Sequence, residues 1–303
     1  MKSSNNISKK LFGGLFAAML GLLSISAAHA QIFVSNSSFN TIGEYNNDGS
    51  TVNASLISEP ASSYPVGMTI SGGNLFVVNA ASGTVGEYTS SGGVVNASLI
   101  SGLNNPSFIT SSGSNLFVTF PSLGTVGEYT TSGGTVNASL LSGLGDVSGI
   151  ALSGSNLFVQ NFSGGTIGEY TTSGATVNAS LVTGLAYGNL DLAVSGSDLF
   201  IVNTYDGTIG EYTTSGAPVN ASLISGLSHP VGIAVLGSNL LVANNGNGTV
   251  GEYTTSGAPV NASLISGLSG PSGIVAAPEP STWALMLGGL GLLAFWHRRK
   301  LHA

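Results

Sequence analysis

The feature that most limits what this chain can fold into is an internal repeat. Gly-Glu-Tyr occurs six times, with tyrosines at Tyr45, Tyr88, Tyr129, Tyr170, Tyr212 and Tyr253, so the spacings are 43, 41, 41, 42 and 41 residues. Val-Asn-Ala-Ser-Leu also occurs six times, with asparagines at Asn53, Asn96, Asn137, Asn178, Asn220 and Asn261. A period near 42 admits helical solenoids and β-propellers, and the local pattern decides between them. In residues 65–102, four short apolar pieces are separated by Ser71-Gly72-Gly73, Ala81-Ser82-Gly83 and Ser90-Ser91-Gly92-Gly93. Short pieces rich in Val, Ile, Thr, Phe and Tyr with glycine turns between them are strands. Four strands per unit predict a propeller blade.

The phase of the repeat predicts closure. Ile32-Phe33-Val34 matches Leu75-Phe76-Val77, the second strand of a unit, while Pro271-Ser272-Gly273-Ile274 matches Pro65-Val66-Gly67-Met68, the first. One end of the repeat region therefore supplies three strands of a blade and the other end supplies the missing innermost one. The expected fold is all-β: a six-bladed propeller over residues 31–277, clasped between its ends. A right-handed β-solenoid is the alternative, but it has no reason to complete its first unit with its last strand.

Charge narrows the function. The six Lys and Arg are Lys2, Lys9, Lys10, Arg298, Arg299 and Lys300, all near the ends. Residues 31–277 hold seven Glu, five Asp and no Lys or Arg, a formal charge of −12, with His229 as their one histidine. Nucleic acids and nucleotides need cationic neutralisation of phosphate, so both are excluded as ligands of this region. The chain has no cysteine, which excludes disulfides, thiolate metal sites and a cysteine nucleophile.

The two ends read as addresses. Lys9 and Lys10, the apolar run from Leu11 to Leu23, and Ala28-His29-Ala30 form a secretory signal pattern over residues 1–30, with Gln31 opening the mature chain after signal peptidase. An uncleaved anchor helix is the other reading. At the far end, Pro278-Glu279-Pro280 precedes an apolar stretch, 281–296, and the basic His297-Arg298-Arg299-Lys300. As a helix that stretch is about 24 Å long, short of a ~30 Å hydrocarbon core, and the basic cluster would stay cytoplasmic. Residues 278–303 closely resemble the PEP-CTERM sorting signal of Gram-negative bacteria. The resemblance implies a transmembrane helix, retention at the inner membrane until an exosortase cuts near the motif, and a destination in the cell envelope or outside the cell. A plain tail anchor would need no Pro-Glu-Pro.

Each repeat also resembles the blades of NHL and streptogramin lyase-like propellers. The resemblance lies in Pro-Val-Gly-Ile-Ala (Pro230 to Ala234), Asn-Leu-Leu-Val-Ala-Asn (Asn239 to Asn244) and Gly-Thr-Val-Gly-Glu-Tyr (Gly248 to Tyr253). It extends over residues 31–277 and implies a fold, not an activity.

Within the blade, the uninterrupted apolar second strand predicts burial on both faces. The repeated tyrosines are expected to pack between blades with their hydroxyls at the rim. The six repeated glutamates have no cation to pair with, so they are expected to be exposed near the ends of the third strands and hydrogen-bonded to Ser and Thr. A ring of Ca²⁺ sites is the alternative, without the dense Asp-x-Asp runs such sites favour. Asn-Ala-Ser is a glycosylation sequon on paper, but in an exported bacterial chain it reads as strand-edge and turn chemistry.

The copies differ from one another mainly in two kinds of loop: the connections entering the first strand and those between the second and third strands. Both loop classes are expected on one face, and variation on one face of a constant frame suits a binding surface. The candidate binding residues are Tyr64, Asn105, Asp146, Tyr187, Tyr205, Asp206 and His229. Gly67, Gly149, Gly232 and Gly273 share one aligned position near the propeller axis, where the other two blades carry Phe108 and Asp191. Asp191, with Asp146 and His229, is the expected polar or cation-binding centre. Aromatics with Asn and Asp suit neutral sugars, so a non-enzymatic binder of a glycan or an envelope protein is the preferred reading. A metal-dependent lyase or lactonase and a structural biofilm component without ligand are the alternatives.

Overall fold

The computed structural model describes residues 31–186 and 188–277. The expected signal peptide, Pro278-Glu279-Pro280, the 281–296 span, Arg298, Arg299 and Tyr187 lie outside the described residues. Among the described residues no helix is long and apolar enough to cross a membrane.

Twenty-four strands form six four-stranded antiparallel sheets. Blade 1 consists of β1 (Gln31–Asn36), β2 (Thr41–Asn46) and β3 (Thr51–Ser58), with β24 (Pro271–Ala277) as its inner strand. β24 pairs with β1 through Gln31↔Ala277, Phe33↔Val275 and Val34↔Ile274, so the clasp forms as the repeat phase predicts. Blades 2 to 6 occupy 65–100, 109–141, 147–182, 189–224 and 230–265, each running from inner to outer strand. Inner strands of consecutive blades touch all the way round, blade 6 against blade 1 included, which excludes the solenoid.

The core is six seams between blades. Strand side chains alternate faces, so Leu75 and Val77 pack back onto blade 1 while Phe76 and Val78 pack forward onto blade 3. The same alternation closes the ring, where Ile32 and Val34 meet Leu241 and Ala243 of blade 6. Phe33, Phe76, Phe117, Phe158 and Phe200 are fully buried in this way, each contributing about 1.5–3 kcal/mol.

The Gly-Glu-Tyr motif serves the same seams. Tyr45, Tyr88, Tyr129, Tyr170 and Tyr253 are buried against the preceding blade, and Tyr212 packs there half-buried. Each ring folds back over the glycine two residues earlier. A methyl at Gly168 would lie 2.6 Å from the Tyr170 hydroxyl and from its Cε2, so the motif needs glycine at that place. The packing role is as expected, but the hydroxyls do not end at the rim. Tyr88 donates to buried Glu59 at 2.6 Å, and burial pushes the phenols of Tyr45, Tyr129, Tyr170, Tyr212 and Tyr253 above their ordinary range.

The repeated glutamates correct the sequence reading. Glu44, Glu128 and Glu252 are buried, and Glu87, Glu169 and Glu211 are half-buried. Their partners are amides at the start of the second strand, not Ser or Thr. Asn74, Asn115, Asn156 and Asn239 donate to Glu87, Glu128, Glu169 and Glu252 at 2.6–2.8 Å, and Gln31 donates to Glu44 at 2.5 Å. An amide lets a desolvated carboxylate keep a strong hydrogen bond without a cation. Blade 5 breaks the pattern, with Asp198 where the amide should be, and Glu211 is pushed up by burial and then by the Asp198 charge.

The Val-Asn-Ala-Ser-Leu strands form the outer circumference and are exposed along most of their length. In all six the Asn Oδ1 accepts the backbone N–H of the Ser two residues on, at 3.0–3.1 Å. That local bond holds a bulge, as between Ile42↔Ile57 and Glu44↔Asn53. A bulged edge resists pairing with another strand. The Leu carbonyl then receives the turn of the following blade, where Gly92, at φ 83, rests on Leu56.

Candidate functional site

The two variable loop classes do share a face, because they hydrogen-bond to each other. In five of the six blades the glycine ending the second-to-third-strand loop accepts the N–H of the leucine entering the next blade: Leu103 to Gly83, Leu144 to Gly124, Leu185 to Gly165, Leu227 to Gly207 and Leu268 to Gly248, at 3.0–3.1 Å; in blade 1 Asn40 accepts the Glu59 N–H at 2.8 Å. Further bonds, Ala81 to Ser63, Phe162 to Asp146 and Asn245 to His229, tie the loop tips together.

Two features set this face apart. Its loops contain Asn40, Ser62, Tyr64, Asn105 and His229, the five non-glycine residues with positive φ among the described residues, at 48–67°. Such conformations cost energy and collect at functional surfaces. The exposed aromatic side chains among the described residues are also here: Phe39 at 68%, Tyr205 at 63% and Tyr64 at 49% exposure. Tyr205 and His229 meet edge to face, centroids 5.8 Å apart at 80°, across the boundary of blades 5 and 6. The Tyr205 ring lies over the Gly188 backbone, where any Cβ would collide with it. At the boundary of blades 1 and 2, the Tyr64 N–H donates to Asn40 Oδ1 at 2.8 Å, which places it beside the Phe39 loop. Between the two aromatic pairs, Ser37 donates to the Gly270 carbonyl and Asn245 to the Pro271 carbonyl.

The remaining candidates separate. Asn105 is exposed and its Nδ2 lies 3.2 Å from Ser122 Oγ on the blade 3 loops. Asp206 is exposed and Asp146 is half-buried. Phe108 and Asp191 instead line the central channel, a cavity of about 240 Å³ bordered by the inner strands of all six blades. Glycine at the aligned positions lets inner strands approach: a methyl at Gly67 would lie 2.6 Å from the Ser107 carbonyl, and one at Gly149 2.8 Å from the Asp191 Cα. Phe108 also packs on Val147 and Ile150 of blade 4.

Asp191 is not a solvated channel group. It is 8% exposed. Its Oδ1 accepts the Leu192 N–H at 2.9 Å, and its Oδ2 accepts the Ile233 N–H of blade 6 at 3.1 Å. Burial pushes its pKa up to about 7 against the opposing pull of those two bonds. Asp191, Asp146 and His229 do not converge, and among the described residues no three His, Cys, Asp or Glu groups are placed to hold a metal ion. The expected polar centre therefore resolves into a channel carboxylate and a separate loop surface. Phe39 and Leu123 belong to that surface too, although apolar residues in a sequence read first as core. Their place in the second-to-third-strand loops was the available signal.

Comparison with known proteins agrees on fold and sorting. The propeller of a nidogen/laminin complex superposes with a TM-score of 0.73 at 15% identity, covering 82% of this chain and 99% of that one. Virginiamycin B lyase from Staphylococcus aureus gives 0.60 at 20% identity, covering 84% and 93%. A protein of unknown function from Bacteroides caccae gives 0.61 at 16%, covering 82% and 98%. At these identities the likeness is one of fold, and the neighbours include a lyase as well as a nidogen/laminin complex. No curated protein matches the sequence. Residues 276–300 match the PEP-CTERM protein-sorting motif, which implies exosortase processing and export to the cell surface. The chain thus carries a PEP-CTERM protein-sorting motif after a six-bladed β-propeller.

Proposed function

We propose that the propeller is a non-enzymatic binding module of the cell envelope or extracellular matrix that recognises a neutral glycan through its variable face. The observation that carries this is the gathering of Phe39, Tyr64, Tyr205 and His229 on the one face that also holds the left-handed non-glycine residues. Exposed aromatic rings offer flat apolar platforms for the faces of sugar rings, and the Asn and Ser groups between them offer hydrogen bonds. A surface without Lys or Arg, in a domain of formal charge −12, disfavours acidic polysaccharides.

The test is a glycan array followed by calorimetry on the mature protein. Saturable binding of a neutral oligosaccharide, lost in a Tyr64→Ala, Tyr205→Ala double variant, supports the reading. Saturable binding only to an envelope protein would transfer the same face to a protein partner. Absence of any saturable ligand would favour a structural matrix role, and a metal-dependent turnover would favour the lyase alternative.

A further inference from the structure

Two of the rings on the loop face stand at one backbone position. In four consecutive blades the residue before the proline that leads into the inner strand is left-handed: His229 in blade 6, Gly270 in blade 1, Tyr64 in blade 2 and Asn105 in blade 3, at φ 53°, 61°, 55° and 48°. Glycine adopts that conformation without strain, whereas a residue with a Cβ resists it. Gly270 is therefore the residue that the loop geometry favours. Tyr64 and His229 keep rings where the backbone prefers glycine, which is a mark of side chains held for function rather than for stability.

The rings form two stations with a low stretch between them. Tyr205 and His229 stand at the boundary of blades 5 and 6, and Phe39 and Tyr64 at the boundary of blades 1 and 2. Sheets packed face to face lie about 10 Å apart, so two blade spacings put roughly 20 Å between the stations. One sugar ring is far narrower than that. The loops between, 245–247 of blade 6 and 269–270 with 37–38 of blade 1, carry no charged residue. Glycines keep them low: a methyl at Gly270 would lie 2.5 Å from Ser38 Oγ, and one at Gly246 would lie 2.7 Å from Ser228 Oγ. Bonds from Ser37 to the Gly270 carbonyl and from Asn245 to the Pro271 carbonyl hold this floor in place. Ser38 and Asn247 are exposed on it, and their hydroxyl and amide groups suit sugar hydroxyls.

We infer, resting on the glycan reading, that the face binds an extended stretch of a neutral polysaccharide laid across blades 6 and 1, with one ring station gripping the chain at each end. Two contacts joined in one ligand make the second contact intramolecular, which multiplies affinity by about 10²–10⁴. A monosaccharide or disaccharide reaches one station only, so the ligand is selected by length as well as by neutrality.

Calorimetry on the mature protein tests this with size ladders, one to eight sugars long, of dextran, β-1,3-glucan, β-1,4-glucan and β-1,4-mannan. In at least one ladder, disaccharides are expected to bind weakly, and an oligomer long enough to bridge the stations is expected to bind one-to-one and at least tenfold more tightly. Tyr64→Ala alone and Tyr205→Ala alone should each weaken the long oligomer at least tenfold, towards the affinity of the disaccharide. Should a variant fail to fold, the ladder on the unaltered protein still reads the length dependence. The inference is overturned if a disaccharide binds as tightly as the octasaccharide, or if either single variant leaves the long oligomer unchanged, and in both cases the glycan reading stands. No binding by any of the four ladders also overturns it, and the glycan array then decides the wider reading separately.

Discussion

Blade 5 offers a test in which the protein supplies its own controls. In the other five blades an amide at the start of the second strand donates to the repeated glutamate at 2.5–2.8 Å. In blade 5 that residue is Asp198, two places from Phe200, which pairs with Glu211. Same-face diagonal positions of this kind put side-chain ends within reach of each other. Two carboxylates about 6 Å apart repel by about 0.7 kcal/mol in water and by about 3 kcal/mol at an effective dielectric constant of 20. Both residues are half-buried, so solvent screening favours the lower figure. Asp198→Asn removes the repulsion and restores a charge-assisted hydrogen bond, for a combined gain of about 1–2 kcal/mol at pH 7. For a domain of this size that raises Tm by roughly 3–6 °C. The pH dependence carries the sign. Glu211 is held above the usual carboxylate range by burial and by Asp198. Its protonated form is therefore favoured in the folded state, and the wild type loses stability as pH rises through the raised pKa. The advantage of Asp198→Asn should be full at pH 7, smaller in 1 M salt and nearly gone at pH 3.5. Asn156→Asp should install the same defect in blade 4. Thermal and denaturant unfolding of the variants measures all of this. An Asp198→Asn protein no more stable than wild type at pH 7, or equally favoured at pH 3.5, would refute the account.

Three further substitutions probe the seams. Tyr88→Phe removes the hydroxyl that donates to buried Glu59 and should cost about 1–3 kcal/mol by stranding that carboxylate, seen as a lower denaturant midpoint. Gly168→Ala should destabilise by about 1–3 kcal/mol through overpacking against Tyr170, and a Gly168→Ala, Tyr170→Leu double variant should recover part of the loss. Gln160 is fully buried, with neither amide atom hydrogen-bonded among the described residues. Gln160→Val, matching Val78 and Val202 at the equivalent positions, should raise stability by about 1–2 kcal/mol. An unchanged or lower Tm would show that the amide is satisfied in solution.

The sequence by itself determined the architecture. Strand alternation and glycine turns are local signals, and repeated six times with an offset start they leave one way to close a ring, as Gln31 pairing with Ala277 bears out. The absence of Lys and Arg from residues 31–277 is likewise read without coordinates. The environment of each side chain was decided by tertiary structure. Glu44 and its repeats read as surface groups because their amide partners stand 13 residues away, on another strand. Asp191 read as a polar centre shared with Asp146 and His229 because the N–H of Ile233, which fixes it, comes from the next blade, 42 residues on. The exposure of Phe39 depends on which loop a seam leaves uncovered. Period and phase are properties of neighbours along the chain, whereas desolvation is set by neighbours in space, and in a propeller those come from the adjoining blade.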